Sequence, residues 1–402
     1  MSTTAPRPVR LGGPTRSGRS AAVRAPGLDL VLLAAVAALV VLGTLLVWSA
    51  TAPRDSLTGG DPTAYLRKSL VNVAIGVVLL VLVAATDHRW VRILAPVFYL
   101  AGVGGLVWVL VAGTTINGSR SWIRLGGMTV QPAEIAKLAV VVGMALLVAE
   151  RLEGARRTGV GTAEVVGMLA IAGVPAALIL AQPDLGTMLV LTATVFGVVA
   201  VSGAPRRWLV GLVAAGVGVA ATAVVAGLLE DYQVDRFMAF TNPDLDPRGA
   251  GYNVEQARIA VGNGGLWGQG LFDGSQTRAG FVPEQHTDFV FTVAGEELGL
   301  LGAGVLILLL AVVVHRALTI ARHAADPFGR LAAAGIACWF GFQAFQNIGM
   351  CLGIMPVTGV PLPFVSYGGS SMFAGMLAVG LLQNIHLRGS VPLPTRLVTA
   401  RR

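Results

Sequence analysis

The sequence predicts an all-α, polytopic membrane protein with ten transmembrane helices and a large extracellular loop between helices 7 and 8. Three observations support this fold class. Hydrophobic residues make up 54% of the 402 residues, and charged residues make up only 12%. The mean hydropathy is +0.73. Apolar runs recur along the chain, and each is long enough to cross a hydrocarbon core, which takes roughly 20 helical residues.

The ten apolar segments and their connections form one predicted membrane domain over residues 28–388. A disordered basic tail, 1–27, is expected before it, and a short basic tail, 389–402, after it. In chain order the predicted spans are 28–50, 69–86, 91–113, 132–149, 163–181, 184–203, 207–229, 288–315, 331–354 and 368–387.

The distribution of basic residues orients these spans. With a cytoplasmic N-terminus, 19 Lys and Arg residues fall in the tails and inner loops and nine in the outer loops. Lys137 lies inside a helix, which completes the total of 29. Short cytoplasmic loops carry the excess of Lys and Arg. We therefore expect a multi-pass membrane protein with both termini in the cytoplasm. The net charge of +8 then follows from topology and calls for no nucleic-acid partner.

Polar residues gather on the outer side, first in "NGSRSWIRLGGMTVQPAEIAKLA" (117–139). Pro132 is predicted at the first helical position, with Glu134 and Lys137 one turn apart on the same face. Two charges in the outer leaflet are costly unless they pair or line a wet cavity. A structural ion pair and a substrate-lining pair both stay open. The approach of Arg120 and Arg124 from the adjacent loop favours the second.

Two other outer connections carry polar residues. In "AQPDLGT" (181–187), Asp184 is predicted to cap the sixth span. In "MPVTGVPLPFVSYGGSS" (355–371), small residues open the last helix. Free N–H groups near Ser370 suit either simple helix capping or binding of phosphate oxygens.

The predicted extracellular loop, 230–287, is the longest polar connection. Its patch "GNGGLWGQGLFDG" suits tight turns and close backbone approach to a ligand. "YNVEQARIAV" is predicted to form a short amphipathic helix at the membrane interface. The Asp-x-Asp in "PDLDPRG" is predicted to be a turn rather than a metal site.

The fourth cluster, "GFVPEQHTDFVFTVAGEELGLLGAG" (280–304), runs from polar residues into an apolar span. On one continuous helix, Glu296 and Glu297 cannot both share the face of Asp288, so at least one is expected to be structural. Asp288 lies at the membrane boundary and can be reached from the outer loop. The residues alone fit two roles equally well, a general base and the proton-coupled carboxylate of a transporter.

Other chemistries find little support. The sequence contains no P-loop and no dinucleotide-binding glycine fingerprint. Cys338 and Cys351 are predicted to be apolar packing residues, and the five histidines form no metal-binding pattern.

Five motifs, taken together and in order, resemble the SEDS family of membrane-embedded peptidoglycan polymerases (FtsW/RodA/SpoVE). The resemblance covers nearly the whole chain after residue 27 and is closer to the rod-shape branch, RodA, than to the division branch, FtsW. The sequence has Ala133 where the family usually has serine, and "GNGG" where "GSGG" is common. The motifs are "NGSRSWIRLG…QPAEIAKLA", "AQPDLGT", "GYNVEQARIAVGNGGLWGQG", "FVPEQHTDFVFTVAGEELG" and "PVTGVPLPFVSYGGSS".

The resemblance implies an enzyme, a glycosyltransferase that polymerises lipid II, the disaccharide-peptide on undecaprenyl pyrophosphate, for cell elongation and shape. It places the family's catalytic aspartate on Asp288. The expected partners are a class B penicillin-binding protein, which is a transpeptidase, and the elongation complex in the bacterial cell (inner) membrane. Whether a divalent cation, Mg²⁺ or Mn²⁺, joins Asp288 to the pyrophosphate is left open. The predicted substrate-binding residues are Arg120, Glu134, Lys137, Glu284, His286, Thr287, Ser366 and Ser370.

Rival functions are a lipid II flippase or transporter, a division-branch polymerase, and a pure scaffold for cell-wall enzymes. A flippase needs a polar route through both leaflets, whereas the polar groups here lie almost wholly on the outer side. A scaffold needs no buried carboxylate.

Overall fold

A computed structural model describes residues 27–116, 119–125, 128–155, 159–227, 234 and 249–388. The predicted tails, apart from Gly27, lie outside the described residues. So does the stretch 235–248 of the predicted extracellular loop, which holds nearly all of "PDLDPRG".

Helices dominate the described chain, and each of the ten predicted spans overlaps at least one of them. The helices are α1 (Leu30–Thr51), α2 (Asp55–Thr58), α3 (Ala64–Ala85), α4 (His88–Ala112), α5 (Pro132–Ala155), α6 (Thr162–Leu180), α7 (Leu185–Val201), α8 (Arg206–Val225), α9 (Ala250–Asn263), α10 (Ser275–Ala279), α11 (Val290–Glu297), α12 (Gly299–His323), α13 (Pro327–Cys351) and α14 (Gly369–Arg388).

Among the described helices, seven are long and apolar enough to cross a membrane: α1, α3, α4, α5, α6, α8 and α12. Helix α7 is apolar but has only 17 residues. Helices α13 and α14 occupy the predicted ninth and tenth spans, but buried amides such as Gln343 and Asn384 interrupt their apolar character. The chain is a mostly helical, multi-pass membrane protein.

Helix α5 lies at the centre of the bundle. In its most apolar window, 89% of the residues are buried, whereas α8 has no buried residue. Helix α5 packs against α4, α6, α7, α13 and α14. Its small side chains, among them Ala136 and Gly143, let these neighbours approach closely. The first turn of α5 is thereby held rigidly inside the protein.

A small antiparallel sheet, not predicted from the sequence, lies between α4 and α5. Its strands are β1 (Thr114–Ile116), β2 (Ser119–Leu125) and β3 (Met128–Val130), in the order β1-β2-β3. The segment alternates polar residues with Ile, Trp and Val, a pattern that suits short strands. The fold is therefore largely, but not entirely, α-helical.

The predicted eighth span is two helices, because the chain breaks between α11 and α12. Gly299 has φ +66°, the left-handed region that favours glycine. The glycine-rich segment 264–270 bonds to both sides of this break. Gln269 N donates to Glu296 O at 2.9 Å, and Leu300 N donates to Gly265 O at 2.9 Å. A Cβ on Gly268 would collide with the Glu297 carbonyl. The close approach predicted toward a ligand is thus made to the protein's own backbone.

Polar contacts connect several helices at the end of the bundle away from the α11–α12 break. The N–H of Asp29, before α1, donates to Gln383 Oε1 of α14 at 2.9 Å, and Gln383 Nε2 donates to Asp29 O at 3.1 Å. Arg316 of α12 donates to the Asp29 carboxylate at 2.6 Å. His88 lies 3.0 Å from Asp326. These contacts join α1, α4, α12, α13 and α14 at one end of the bundle.

Candidate active site

The end of the bundle at which α5 and α14 begin holds a cavity of about 400 Å³. Its wall is built from α3, β2, β3, the start of α5, the α6–α7 turn, the stretch before α11 and the connection from α13 into α14. The lining residues are Tyr65, Ser119, Ser121, Trp122, Thr129, Gln131, Glu134, Pro183, Asp184, Leu185, Glu284, Thr287, Asp288, Thr358, Gly359, Pro361, Tyr367, Gly368, Ser370 and Ser371.

Asp288 lies in this wall, two residues before α11 begins. Its N–H donates to Glu284 O at 3.0 Å, and its carbonyl accepts from Asn347 Nδ2 at 2.6 Å. A Cβ on Gly359 would lie 3.3 Å from Asp288 Oδ2, so the carboxylate faces the connection after α13. The backbone of Asp288 is held on two sides while its side chain borders the cavity.

Glu284 and Thr287, four residues and one residue before Asp288, line the same cavity. Thr287 Oγ1 donates to Glu284 O at 3.1 Å, and the residues form a turn rather than part of α11. Glu284 has φ +46°, a strained value for a residue with a side chain. This turn directs both residues and Asp288 toward one space.

The predicted pair on α5 divides between the cavity and the core. Glu134 lines the cavity, whereas Lys137 lies behind the wall with none of its side chain exposed. Lys137 Nζ donates to Glu134 Oε1 and to Gln343 Oε1, both at 2.7 Å, and lies 5.2 Å from the Trp339 ring centre. Glu134 Oε2 is buried and has no hydrogen-bond partner among the described residues. The two residues form a buried ion pair, and of the two only Glu134 borders the cavity. That the pair binds substrate stays a prediction.

Ser370 also lines the cavity, on the first turn of α14. Its Oγ accepts a 2.7 Å hydrogen bond from Gln131 N. Ser370 thus connects the start of α14 to the start of α5. Asp184 caps α7 as predicted, accepting from Thr187 N at 2.9 Å, and it also borders the cavity.

Four predicted substrate-binding residues do not line the cavity: Lys137, Arg120, Ser366 and His286. Arg120, on the exposed side of β2, donates to Gly113 O at 3.0 Å and to Val111 O at 2.8 Å. Ser366 is buried, and its Oγ accepts from Leu362 N at 2.7 Å. The side chains of Arg120 and Ser366 both form hydrogen bonds to backbone groups near the cavity.

His286 lies just behind the wall, between two tyrosines that line it. Its ring centre lies 5.1 Å from that of Tyr65 and 5.8 Å from that of Tyr367. Burial, and then the charge of Arg54, lower the pKa of His286 to about 4. Burial raises the pKa of Tyr367 to about 12. At neutral pH these groups form an uncharged aromatic support for the turn that carries Asp288.

Comparison with known proteins bears on this architecture. A family profile described as "Cell cycle protein", FtsW/RodA/SpoVE, matches residues 29–390. The chain is 36% identical over 361 residues to the peptidoglycan glycosyltransferase MrdB of Escherichia coli K12, which covers 89% of this chain and 93% of that one.

This chain belongs to the FtsW/RodA/SpoVE family.

Other family members are similarly close. Stage V sporulation protein E of Bacillus subtilis is 34% identical over 363 residues, which is 89% of this chain and 96% of that protein. A solved peptidoglycan synthase complex, described as coordinating polymerization and crosslinking, contains a chain that is 33% identical, with a TM-score of 0.72. It covers 90% of this chain and 98% of that one. The crystal structure of Thermus thermophilus RodA has a TM-score of 0.64 at 31% identity, covering 90% and 97%.

Several lining residues of this family member were not singled out from its sequence. Tyr65 sits in "DPTAYLRKS", outside every quoted motif, although aromatic residues at a predicted helix end are a recognisable signal. Trp122 and Ser121 lie on β2, a strand that was not predicted. Tyr367 was inside a quoted motif but received no role.

Glu296 and Glu297 do not line the cavity. The Glu296 carboxylate accepts hydrogen bonds from the backbone N–H groups of Gln276 and Thr277 at 2.7 and 2.9 Å, which holds α10 in place. Glu297 accepts from Ser49 Oγ of α1 at 2.5 Å. Glu296 thus joins α11 to α10, and Glu297 joins α11 to α1.

Among the described residues, the cavity lining contains four carboxylates, Glu134, Asp184, Glu284 and Asp288, and no Lys or Arg. Within the described residues, no group of three or more His, Cys, Asp or Glu side chains is placed to hold a metal ion. The donor set therefore does not form a protein-built metal site of that size.

Proposed function

We infer that this chain is a peptidoglycan glycosyltransferase, which joins lipid II disaccharide units into glycan strands and releases undecaprenyl pyrophosphate. Membership of a family whose relatives are named peptidoglycan glycosyltransferases supports this inference. The single observation that carries it further is the carboxylate of Asp288, in a polar cavity where an apolar bundle ends.

Asp288 is the general base of the proposed reaction. Its carboxylate takes the proton from the C4 hydroxyl of the acceptor sugar as that oxygen attacks the anomeric carbon of the growing strand. The bond from this carbon to the pyrophosphate oxygen breaks, and the configuration inverts. A base of this kind contributes on the order of 10²- to 10⁴-fold in rate.

The leaving pyrophosphate needs positive charge or N–H donors. The start of α14, which lines the cavity at Gly368, Ser370 and Ser371, offers backbone N–H groups. Lys137 acts from behind the wall by compensating the charge of Glu134. Arg120 is bound to backbone carbonyls and contributes by shaping β2.

In the proposed topology ten segments span the membrane, and the cavity opens on the extracellular side. Both termini are cytoplasmic, as the excess of Lys and Arg in the inner segments favours. The predicted extracellular loop, between α8 and α11, then faces the site of wall synthesis.

The proposed partner is a class B penicillin-binding protein that crosslinks the strands, within the elongation complex. A related solved complex is described as coordinating polymerization with crosslinking, which supports such a pairing. The rod-shape branch is proposed on the motif wording of the sequence, with the division branch as the second candidate.

The decisive experiment measures polymerisation of purified lipid II by the chain with its transpeptidase partner. Asp288→Asn should lose activity about 10²-fold or more. Asp273→Asn, at an exposed acid outside the cavity lining, is the matched control and should keep it. Normal polymerisation by Asp288→Asn would refute the assignment. A parallel series with chelator or added Mg²⁺ tests the cation that the sequence left open.

The alternative of a lipid II flippase is tested with the same preparation. Labelled lipid II in vesicles should stay in its leaflet when only this chain is present. Transbilayer movement, unaffected by Asp288→Asn, would favour a transporter instead.

A further inference from the structure

Helix α13 carries three amide side chains on one stripe: Gln343, Gln346 and Asn347. Residues three and four apart lie on the same helix face. Their exposed fractions are 1%, 0% and 0%. Burying an amide without hydrogen bonds is costly, so such groups need partners inside the protein. All three reach the connection from α13 to α14, in which Thr358, Gly359 and Pro361 line the cavity.

Residues 358–361 of this connection are called the 358–361 wall. Asn347 joins the 358–361 wall to Asp288. Its Nδ2 donates to the carbonyl of Asp288 at 2.6 Å and to the carbonyl of Val360 at 2.7 Å. One amide thus spans two segments about 70 residues apart in the chain. Gly359 is next to Val360, and a Cβ on Gly359 would lie 3.3 Å from Asp288 Oδ2. The contact therefore fixes how far the acid stands from the wall.

Gln343 joins the same wall to the ion pair on α5. Its Oε1 accepts from Lys137 Nζ at 2.7 Å and from Trp339 Nε1 at 2.6 Å, and its Nε2 donates to Pro361 O at 2.8 Å. Lys137 in turn bonds Glu134, which lines the cavity. The wall, the lysine and the glutamate are thereby held in one hydrogen-bonded chain.

Gln346 provides a natural comparison. It is equally buried and lies on the same stripe, and its Nε2 donates to the side-chain hydroxyl of Thr358 at 3.0 Å. Among the described residues, Lys137 donates to Glu134 and Gln343, and Gln346 is not one of its partners.

We propose that Asn347 and Gln343 are positioning residues for the glycosyl transfer, setting Asp288 and the Lys137–Glu134 pair in one geometry against the 358–361 wall. Neither amide lines the cavity, so both act through the groups they hold. The proposal rests on the proposed role of Asp288 as the base. Misplacing a reacting group by about 1 Å can lower a rate on the order of 10²-fold.

A merely structural role would look different in kinetics. Amides that only stabilise the irregular wall would, when removed, lower the amount of folded protein or loosen substrate binding. Amides that position the base lower kcat, while KM for lipid II stays close to that of the unaltered chain, because the chemical step alone is affected.

The test compares Asn347→Leu, Gln343→Met and Gln346→Met in the full chain with its transpeptidase partner. Each exchange replaces one buried amide side chain with an apolar side chain of similar size. Steady-state polymerisation of lipid II gives kcat and KM, and thermal unfolding in detergent gives stability. We expect kcat to fall at least about 10-fold in Asn347→Leu and Gln343→Met, with KM within about twofold. Gln346→Met should keep kcat within about twofold at a comparable melting temperature.

Equal losses of kcat in all three variants, or a rise in KM with kcat unchanged, would overturn the proposal. If Asn347→Leu is not recovered folded, Asn347→Ser replaces it, because the shorter hydroxyl cannot reach both carbonyl oxygens. Asp288→Asn is measured alongside. Activity in Asp288→Asn refutes the role of the base itself, whereas an inactive Asp288→Asn beside a normal Asn347→Leu refutes only the positioning.

Discussion

Lys137 donates a 2.7 Å hydrogen bond to Glu134, although 0% and 2% of the two side chains are exposed. The pair lies on the first turns of α5, in which 89% of the most apolar window is buried. Burying two charges is tolerated when each compensates the other, and removing one leaves an uncompensated charge. The contribution of the pair to stability can therefore be measured separately from catalysis.

Lys137→Met should lower the free energy of unfolding by about 3–5 kcal/mol, since it strands the Glu134 carboxylate. The double variant Glu134→Gln/Lys137→Met, which removes both charges, should recover most of that loss. Thermal unfolding in detergent measures both. A single variant as stable as the double would show that the charges do not depend on each other.

His286 should make stability depend on pH. Its pKa is about 4 in the folded chain and 6.5 ordinarily, so the unfolded chain binds more protons between these values. The free energy of unfolding therefore falls as pH is lowered from about 6.5 to 4, by on the order of 3 kcal/mol from this group. Melting temperatures across this range should drop less steeply in His286→Gln. His323→Gln, at an exposed histidine, should keep the slope of the unaltered chain.

Gly359→Ala should reduce polymerisation more than its backbone strain explains. The position has φ +69°, and the new methyl group would lie 3.3 Å from Asp288 Oδ2. Gly59→Ala is the matched control, since Gly59 has φ +64° and nothing within 4 Å. Both substitutions cost about 1 kcal/mol of strain. Only Gly359→Ala should lower kcat, by about 10-fold or more. Equal kcat in the two variants would contradict the close approach.

Gly268→Ala should destabilise the break between α11 and α12. A methyl group there meets the Glu297 carbonyl, which cannot move without disturbing the helix end. Gly203 has the same φ of +82° in open space, so Gly203→Ala reports strain alone. We expect a clearly lower melting temperature for Gly268→Ala than for Gly203→Ala. Matching values would mean that segment 264–270 does not hold the break.

Much of the architecture could be predicted from local signals. Long apolar runs located the helices, Pro132 marked the start of α5, and Asp184 marked the start of α7. The three-residue spacing of Glu134 and Lys137 predicted their contact. It could not tell which of them borders the cavity, because that depends on how α13 packs against α5.

The features that were missed depend on partners distant in sequence. The apolar run through Leu298 reads as one helix, and only the backbone of 264–270 explains why it breaks. Gln343 and Asn347 look like tolerated polar residues in a span until the 358–361 wall is seen against them. Strands β1 and β3 have three residues each, too few to show the alternation of polar and apolar residues that predicts a strand.

The hydrogen bonds between Asp29 and Gln383 span 354 residues, from the beginning of α1 to α14. Helix α14 leaves the ribosome after every other described element, and it also carries Ser370 of the cavity wall. In a nascent chain, Asp29 therefore lacks its Gln383 partner until α14 has been translated. Chains arrested before that point lack Ser370 and Ser371, so their cavity wall is incomplete.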